Sequence, residues 1–396
     1  MAGVGADWNF PAWLAERRAA GLYRQPRRLE PLGPVEGMQN GKRQLVFCSN
    51  DYLGLARDPR IAEAMIRAAR EGGVGSGSAH LITGQRRHHE ALEEELADFL
   101  QRDRTLLFST GYMANMGVID ALLEPGDGAF EDRLNHASLL DGAHMAGAQL
   151  RKYPHRDTDA LGRMLSEDPP RRRLVITDGV FSMDGDTAPL TALAGLAPGH
   201  EALLMVDDAH GIGVLGDEGA GTCAHQGLDQ QQVPLLVGTL GKALGTFGAF
   251  AAGSESLIDY LIQRARTYIF TTAPPPPLAA ATRQAVAIAR SESWRRAHLR
   301  VLIARFRQGS EQLGLPLMPS ETPIQPLMLG APERALAVSQ ALRERGILVT
   351  AIRPPTVPVG QSRLRITFSA AHSEAHVDRL LQALAETEHL WNAREQ

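Results

Sequence analysis

The sequence predicts an α/β protein: a large domain on a mostly parallel sheet, followed by a smaller C-terminal α/β domain. Three observations carry this. From about residue 46, short apolar runs alternate with helical patterns. The polar residues capable of chemistry follow the C-terminal ends of those runs, and a long helical stretch, 278–313, leads into a second and shorter alternation. Strand–helix alternation of this length implies a sheet covered by helices on both faces.

Residues 1–45 read as a distinct N-terminal segment. Within it 8–20 has a short amphipathic helical pattern, and Arg24-Gln25-Pro26-Arg27-Arg28 leads into a proline-containing linker. The large domain spans 46–277. Its strands are expected at 105–108, 129–134, 174–178, 202–207, 235–239 and 249–253, with helices such as 91–100, 113–123 and 138–147 between several of them. A further helix at 254–268 is followed by four consecutive prolines, 274–277. The remainder, 278–396, holds the linking helix, strands at 324–329, 347–352 and 363–369, and helices at 333–345 and 373–391.

Composition narrows the function classes. Of 396 residues, 44% are hydrophobic and 22% charged, which is ordinary for a globular protein with an ample core. A net charge of −4 offers no electrostatic footprint for nucleic acid, and Arg171-Arg172-Arg173 reads as a solvated loop entering a strand. Cys48 and Cys223 are too few for a disulfide framework and too far apart for a zinc signature; His88-His89-Glu90 also lacks zinc spacing. No apolar stretch has membrane-spanning length and no signal peptide is visible, so the cytoplasm is the expected compartment.

Two segments look like nucleotide sites and fail on context. Gly238-Thr239-Leu240-Gly241-Lys242-Ala243 resembles a P-loop fragment, but Ala243 replaces the magnesium-binding Ser/Thr. Gly211-Ile212-Gly213-Val214-Leu215-Gly216 matches G-x-G-x-x-G after a strand. The residues after it, Asp217-Glu218-Gly219-Ala220-Gly221, cannot open the helix a dinucleotide turn requires.

Lys242 lies among small and apolar residues, where a lysine can lose its proton near neutral pH and attack a carbonyl. Asp207 ends an apolar strand, the usual place for a carboxylate that pairs with a pyridinium nitrogen. Ser109-Thr110-Gly111-Tyr112 opens a helix after strand 105–108 and suits a phosphate, while His136, Ser182 and His210 follow three other strand ends. Each alone fits a turn or helix cap equally well. In an open α/β sheet all five ends meet at one edge, and together they suggest a pyridoxal phosphate Schiff base on Lys242.

These residues resemble the α-oxoamine synthases, within the fold-type I pyridoxal phosphate enzymes that share the aspartate aminotransferase fold. The resemblance runs from about Arg17 to the C-terminal helix. It rests on Ser49-Asn50-Asp51-Tyr52-Leu53-Gly54-Leu55, on 178–186, on Asp207-Asp208-Ala209-His210-Gly211 and on Gly241-Lys242. The segment Ala351-Ile352-Arg353-Pro354-Pro355-Thr356-Val357-Pro358 is similar to the branch that joins L-alanine to a pimeloyl thioester in biotin synthesis. Sister enzymes using glycine or serine carry a different segment there.

The resemblance implies pyridoxal 5′-phosphate as cofactor and a role for each matching residue. Lys242 is the Schiff-base lysine and moves protons at Cα; Asp207 pairs with the pyridine nitrogen; His136 stacks on the ring; Ser182 and His210 lie near the phenolic oxygen. Gly111, Tyr112 and Thr239 hold the phosphate, and Thr271 and Thr272 reach the phosphate of a neighbouring subunit, because sites of the family straddle a homodimer interface. Asn50 and Arg365 position the amino acid, with Arg365 on its carboxylate; Arg24 and Thr356 border the acyl side, where pimelate arrives on CoA or acyl carrier protein. Asp178 stands where some members have glutamate and Phe270 where some have tyrosine. Alternatives are a sister synthase for glycine or serine, a nucleotide-dependent dehydrogenase using 211–216, and a non-catalytic partner subunit, which retention of Lys242 opposes.

Overall fold

The computed structural model describes residues 8–19, 22–167 and 170–392. Seven strands form the large sheet, in the order Arg104–Phe108, Ala249–Gly253, Leu235–Thr239, Ala202–Asp207, Arg173–Asp178, Gly128–Asp132 and Gln149–Tyr153. Ala249–Gly253 runs antiparallel to both of its neighbours, and the other adjacent pairs are parallel. The expected mostly parallel α/β sheet is what the chain forms.

Side-chain alternation divides the core into two layers. Leu174, Ile176, Met205, Leu235 and Val237 point to one face, where Gly111–Leu122, Ala137–Met145 and Glu255–Arg264 cover them. Val175, Leu204, Val206, Leu236 and Phe250 point to the other, under Arg87–Leu100 and Pro276–Ser291. Both faces of these inner strands are therefore apolar, which explains why their runs read as continuously hydrophobic.

Helix starts are marked by side-chain caps. Thr110 accepts the Met113 N–H at 3.1 Å, Asp157 that of Ala160 at 2.8 Å, and Ser254 that of Leu257 at 3.3 Å. The N-terminal helix Phe10–Ala19 buries none of its residues against this chain.

Several elements differ from the sequence expectation. Gln149–Tyr153 is a strand at the sheet edge; its exposed polar residues hid it, since only Tyr153 is buried. The stretch 278–313 is two helices, Pro276–Ser291 and Trp294–Gln312, separated at Glu292 and Ser293. The run 347–352 is divided between two sheets. Ile347–Leu348 pairs with Lys42–Val46, joining it to Glu36–Gln39 and Glu30–Pro31, whereas Thr350–Ile352 pairs with Ser362–Thr367. Ser362–Thr367 is the central strand of that second sheet, with Ile324–Gly330 on its other side.

Register decides what reaches the site. Asp178 lies opposite Asp207, Asp207 opposite Val237, and Asp132 opposite Tyr153. The strands thus end together on one edge, the ligand edge of a parallel sheet.

Candidate active site

Lys242 follows Leu235–Thr239 in a turn held by glycine. Gly245 has φ +66°, and a Cβ there would come within 2.4 Å of the Ala56 nitrogen, so the turn packs directly on the chain after the 49–55 motif. Lys242 Nζ lies 2.9 Å from His210 Nε2, and His210 Nδ1 lies 2.7 Å from the Tyr52 hydroxyl. Tyr52 donates to Asn50 Oδ1 at 3.1 Å. Arg365 donates to the same Asn50 oxygen at 3.1 Å, to the Tyr52 hydroxyl at 3.3 Å, and through Nε to the Ser182 carbonyl at 2.5 Å. One protonation pattern satisfies this chain: the amine donates to Nε2, Nδ1–H donates to Tyr52, and Tyr52 donates to Asn50.

Electrostatics favour that pattern. Burial, reinforced by the charges of Lys242 and Arg365, pushes the His210 pKa well below that of a free imidazole, so the ring is neutral. Burial also lowers the Lys242 pKa against the opposing pull of Asp207 and Asp178. A larger share of the amine is unprotonated than for a solvated lysine.

Asp207 is 6% exposed. Its carboxylate accepts from Asn115 Nδ2 at 2.6 Å and from the Ala209 N–H at 3.0 Å. Asn115 also donates to Ser138, whose hydroxyl lies 2.7 Å from His136 Nδ1. The His136 ring is exposed beside this network, and its backbone N–H donates to the buried Asp178 at 2.9 Å. Burial, with the Asp207 charge next to it, raises the Asp178 pKa well above the carboxylate norm.

Gly111 begins the helix Gly111–Leu122, where the first N–H groups have no partner inside the helix. A Cβ on Gly111 would lie 3.9 Å from that of Thr239, which places the two together. Tyr112 stands at the rim, 42% exposed, with its hydroxyl on Asp141.

The structure therefore brings Lys242, His210, Ser182, Asn50 and Arg365 into one network, Asp207 and His136 into a second, and Gly111 and Thr239 into a third contact. Arg24 and Thr356 lie apart, both exposed, on a cavity of about 290 Å³ that Arg17, Arg353 and Pro355 also line. Thr271 and Thr272 are outside the cluster as well, next to the Ala79–Thr272 bridge. Sequence reasoning gave no role to Tyr52, which sits in the 49–55 motif, or to Asn115, which lies in the helix that Gly111 opens. Asn115 follows Gly111 by one helical turn, the spacing that turns it toward the same pocket.

The glycine pattern at 211–216 serves packing. A Cβ on Gly211 would come within 2.1 Å of Asp208 Oδ1, and one on Gly221 within 2.1 Å of Oδ2. Buried Asp208 accepts from the Thr222 hydroxyl at 2.5 Å and from its N–H at 2.6 Å. Only a four-residue helix, Thr222–His225, follows, so no helix N-terminus faces that turn as a dinucleotide site requires.

The residues fit pyridoxal 5′-phosphate. Among the described residues, buried Asp207 has no cation at ion-pair distance and Lys242 no carboxylate, so each is free for a ring N–H and an aldehyde respectively. A helix N-terminus beside the Thr239 hydroxyl offers donors for a phosphate.

Comparison with known proteins agrees with this geometry. A model of the aminotransferase class I and II family matches residues 42–384. An 8-amino-7-oxononanoate synthase from Alkalilimnicola ehrlichii is 62% identical over 94% of this chain and 96% of its own; one from Nitrosococcus oceani is 59% identical over 94% and 99%. Among solved structures, a serine palmitoyltransferase from Sphingomonas wittichii superimposes with a TM-score of 0.91 at 30% identity, covering 99% of both chains. An 8-amino-7-oxononanoate synthase from Francisella tularensis does so at 0.77 and 29% identity, covering 87% of this chain and 97% of its own. The chain belongs to the aminotransferase class I and II family and, within it, to the family of 8-amino-7-oxononanoate synthases.

Proposed function

We propose that this chain condenses L-alanine with a pimeloyl thioester to give 8-amino-7-oxononanoate, CO2 and the free carrier thiol, as a step of biotin synthesis. The observation that carries the reading is the half-buried Lys242 amine, 2.9 Å from a neutral His210, on the same sheet edge as buried Asp207. The identity to 8-amino-7-oxononanoate synthases supports the substrates.

Pyridoxal 5′-phosphate, when bound, supplies the aldehyde that Lys242 engages and a ring that withdraws electrons from the amino-acid Cα. Lys242, partly unprotonated by burial, removes the Cα proton and later returns one. Asp207, fixed by Asn115 and the Ala209 N–H, holds the proton on the ring nitrogen. The His136 ring would stack on the bound cofactor, with Ser182 and His210 near its phenolic oxygen. Gly111, Tyr112 and Thr239 would hold its phosphate, joined by Thr271 and Thr272 from the neighbouring subunit of a homodimer.

Arg365 and Asn50 hold the carboxylate of L-alanine until it leaves as CO2. A bond forms between alanine Cα and the thioester carbonyl carbon, and the carbon–sulfur bond breaks. Arg24 and Thr356 border the acyl chain, carried by CoA or by acyl carrier protein. No helix among the described residues is long and apolar enough to cross a membrane; we place the enzyme in the cytoplasm.

A sister reaction, serine or glycine with another acyl-CoA, is favoured by the superposition on serine palmitoyltransferase. Steady-state rates with L-alanine, glycine and L-serine against pimeloyl, succinyl and palmitoyl thioesters decide between them. The reading requires the highest kcat/KM for L-alanine with the pimeloyl thioester; a preference for serine or glycine overturns it.

A further inference from the structure

The segment 179–187 joins the two domains above the site. It closes on itself through the Phe181 N–H to the Asp186 carbonyl at 2.9 Å and the Gly185 N–H to the Phe181 carbonyl at 2.8 Å. From the small-domain side, Arg363 donates to Asp184 at 2.5 Å, and the Ser320 and Thr322 hydroxyls both donate to the Gly185 carbonyl, at 2.8 and 2.9 Å. At its centre the Ser182 carbonyl receives Arg365 Nε. Arg363 and Arg365, two apart on one strand, share the face that meets this segment.

From the large-domain side the anchor is His155. Nδ1 lies 3.0 Å from Asp132 Oδ1 and Nε2 lies 2.9 Å from Asp186 Oδ2. The ring stands edge-on against Phe181, 4.4 Å between centroids. An ionised carboxylate only accepts, so with one on each nitrogen both must donate and the ring carries a positive charge. Arg156 shares this anchor, its guanidinium lying 3.2 Å from Asp186.

We propose that His155 is a positioning residue for the amino-acid carboxylate: as an imidazolium bridging Asp132 and Asp186 it fixes segment 179–187, which in turn aims Arg365 through Ser182. This rests on reading Arg365 as the carboxylate clamp, and nothing in the chemistry requires His155 to touch substrate. Burial alone would lower the His155 pKa, but the two carboxylates override it and push it up to about 9. Because the folded value lies above the free imidazole value, the imidazolium is retained at neutral pH, and the clamp is lost as pH rises through about 9.

The test is steady-state kinetics of the holoenzyme carrying His155→Gln, which keeps hydrogen bonding but not the charge. The KM for L-alanine is expected to rise about tenfold at pH 7.5, the loss typical of a charged hydrogen bond, with kcat and the KM for the thioester changing much less. The ratio of mutant to wild-type alanine KM should fall toward one as pH passes about 9, a comparison in which titration of the substrate amine cancels. Leu165→Ala, in the core of the same domain, should lower the melting temperature and leave that KM alone. If His155→Gln does not fold, Asp186→Asn reads the same clamp from the strap side. An unchanged alanine KM, or a ratio flat with pH, overturns the proposal; a wild type that does not turn over L-alanine at all overturns the function reading instead.

Discussion

The wall of the site around Lys242 and the wall of the separate cavity that carries Arg24 and Thr356 are built on different principles. Around Lys242 the polar groups are buried or half-buried and hydrogen-bond to one another: Asp207 with Asn115, His210 with Tyr52, and Arg365 with the Ser182 carbonyl. Around Arg24 the side chains are exposed or half-buried, and the cavity is lined by residues of the N-terminal helix, a loop and an edge strand. Chemistry is placed where geometry is over-determined. The cavity at Arg24 and Thr356 is placed where contacts can change without disturbing the core.

If that contrast is right, substitutions should grade from loss of reaction to loss of affinity. Lys242→Ala is expected to have the largest effect, removing covalent cofactor attachment and lowering kcat by roughly 10⁴-fold or more. Borohydride trapping followed by peptide mapping checks it, and an adduct on another lysine with full turnover would break the assignment. Asp207→Asn comes next, with kcat down about 10²–10³-fold and little change in the thioester KM, because the ring-nitrogen proton loses its charged partner. Turnover close to wild type would remove Asp207 from the chemistry.

Asn115→Ala sharpens the same wall. It deletes the 2.6 Å donor to Asp207 without touching substrate, and about a tenfold fall in kcat is expected, read alongside the cofactor absorbance spectrum. Arg24→Ala tests the other wall and should have the smallest effect. The KM for the pimeloyl thioester is expected to rise about three- to tenfold, with the alanine KM and kcat close to unchanged, and weakened further dependence on salt. An effect of Arg24→Ala on kcat as large as that of Asp207→Asn would erase the contrast between the walls.

The two walls were not equally legible. Apolar runs ending in Asp178, Asp207 and Thr239 announce a parallel sheet and its ligand edge, because strands buried on both faces must be continuously hydrophobic. Lys242 and Asp207 stood out as polar residues in apolar company. Tyr52 and Asn115 did not, since a tyrosine inside a motif or an asparagine inside a helix has no distinctive spacing of its own. The edge strand Gln149–Tyr153 was hidden for the converse reason: with solvent on one side it has no apolar run to read. His155, just beyond it, carries no local pattern that marks it; only the fold brings Asp132 and Asp186 to either side of its ring.

By itself the sequence determined the alternation of elements, the residue types available at each strand end and the lysine fit for Schiff-base chemistry, because these follow from local periodicity and turn chemistry. The tertiary structure alone decided which of them meet. His210 and Tyr52 are 158 positions apart and Arg365 and Asn50 are 315 apart, distances over which no local rule operates. Those contacts exist because the parallel register aligns Asp178 with Asp207 and because the small domain's central strand sets Arg363 and Arg365 on the face that meets segment 179–187. Register and domain packing are properties of the whole buried core, and so is the site they assemble.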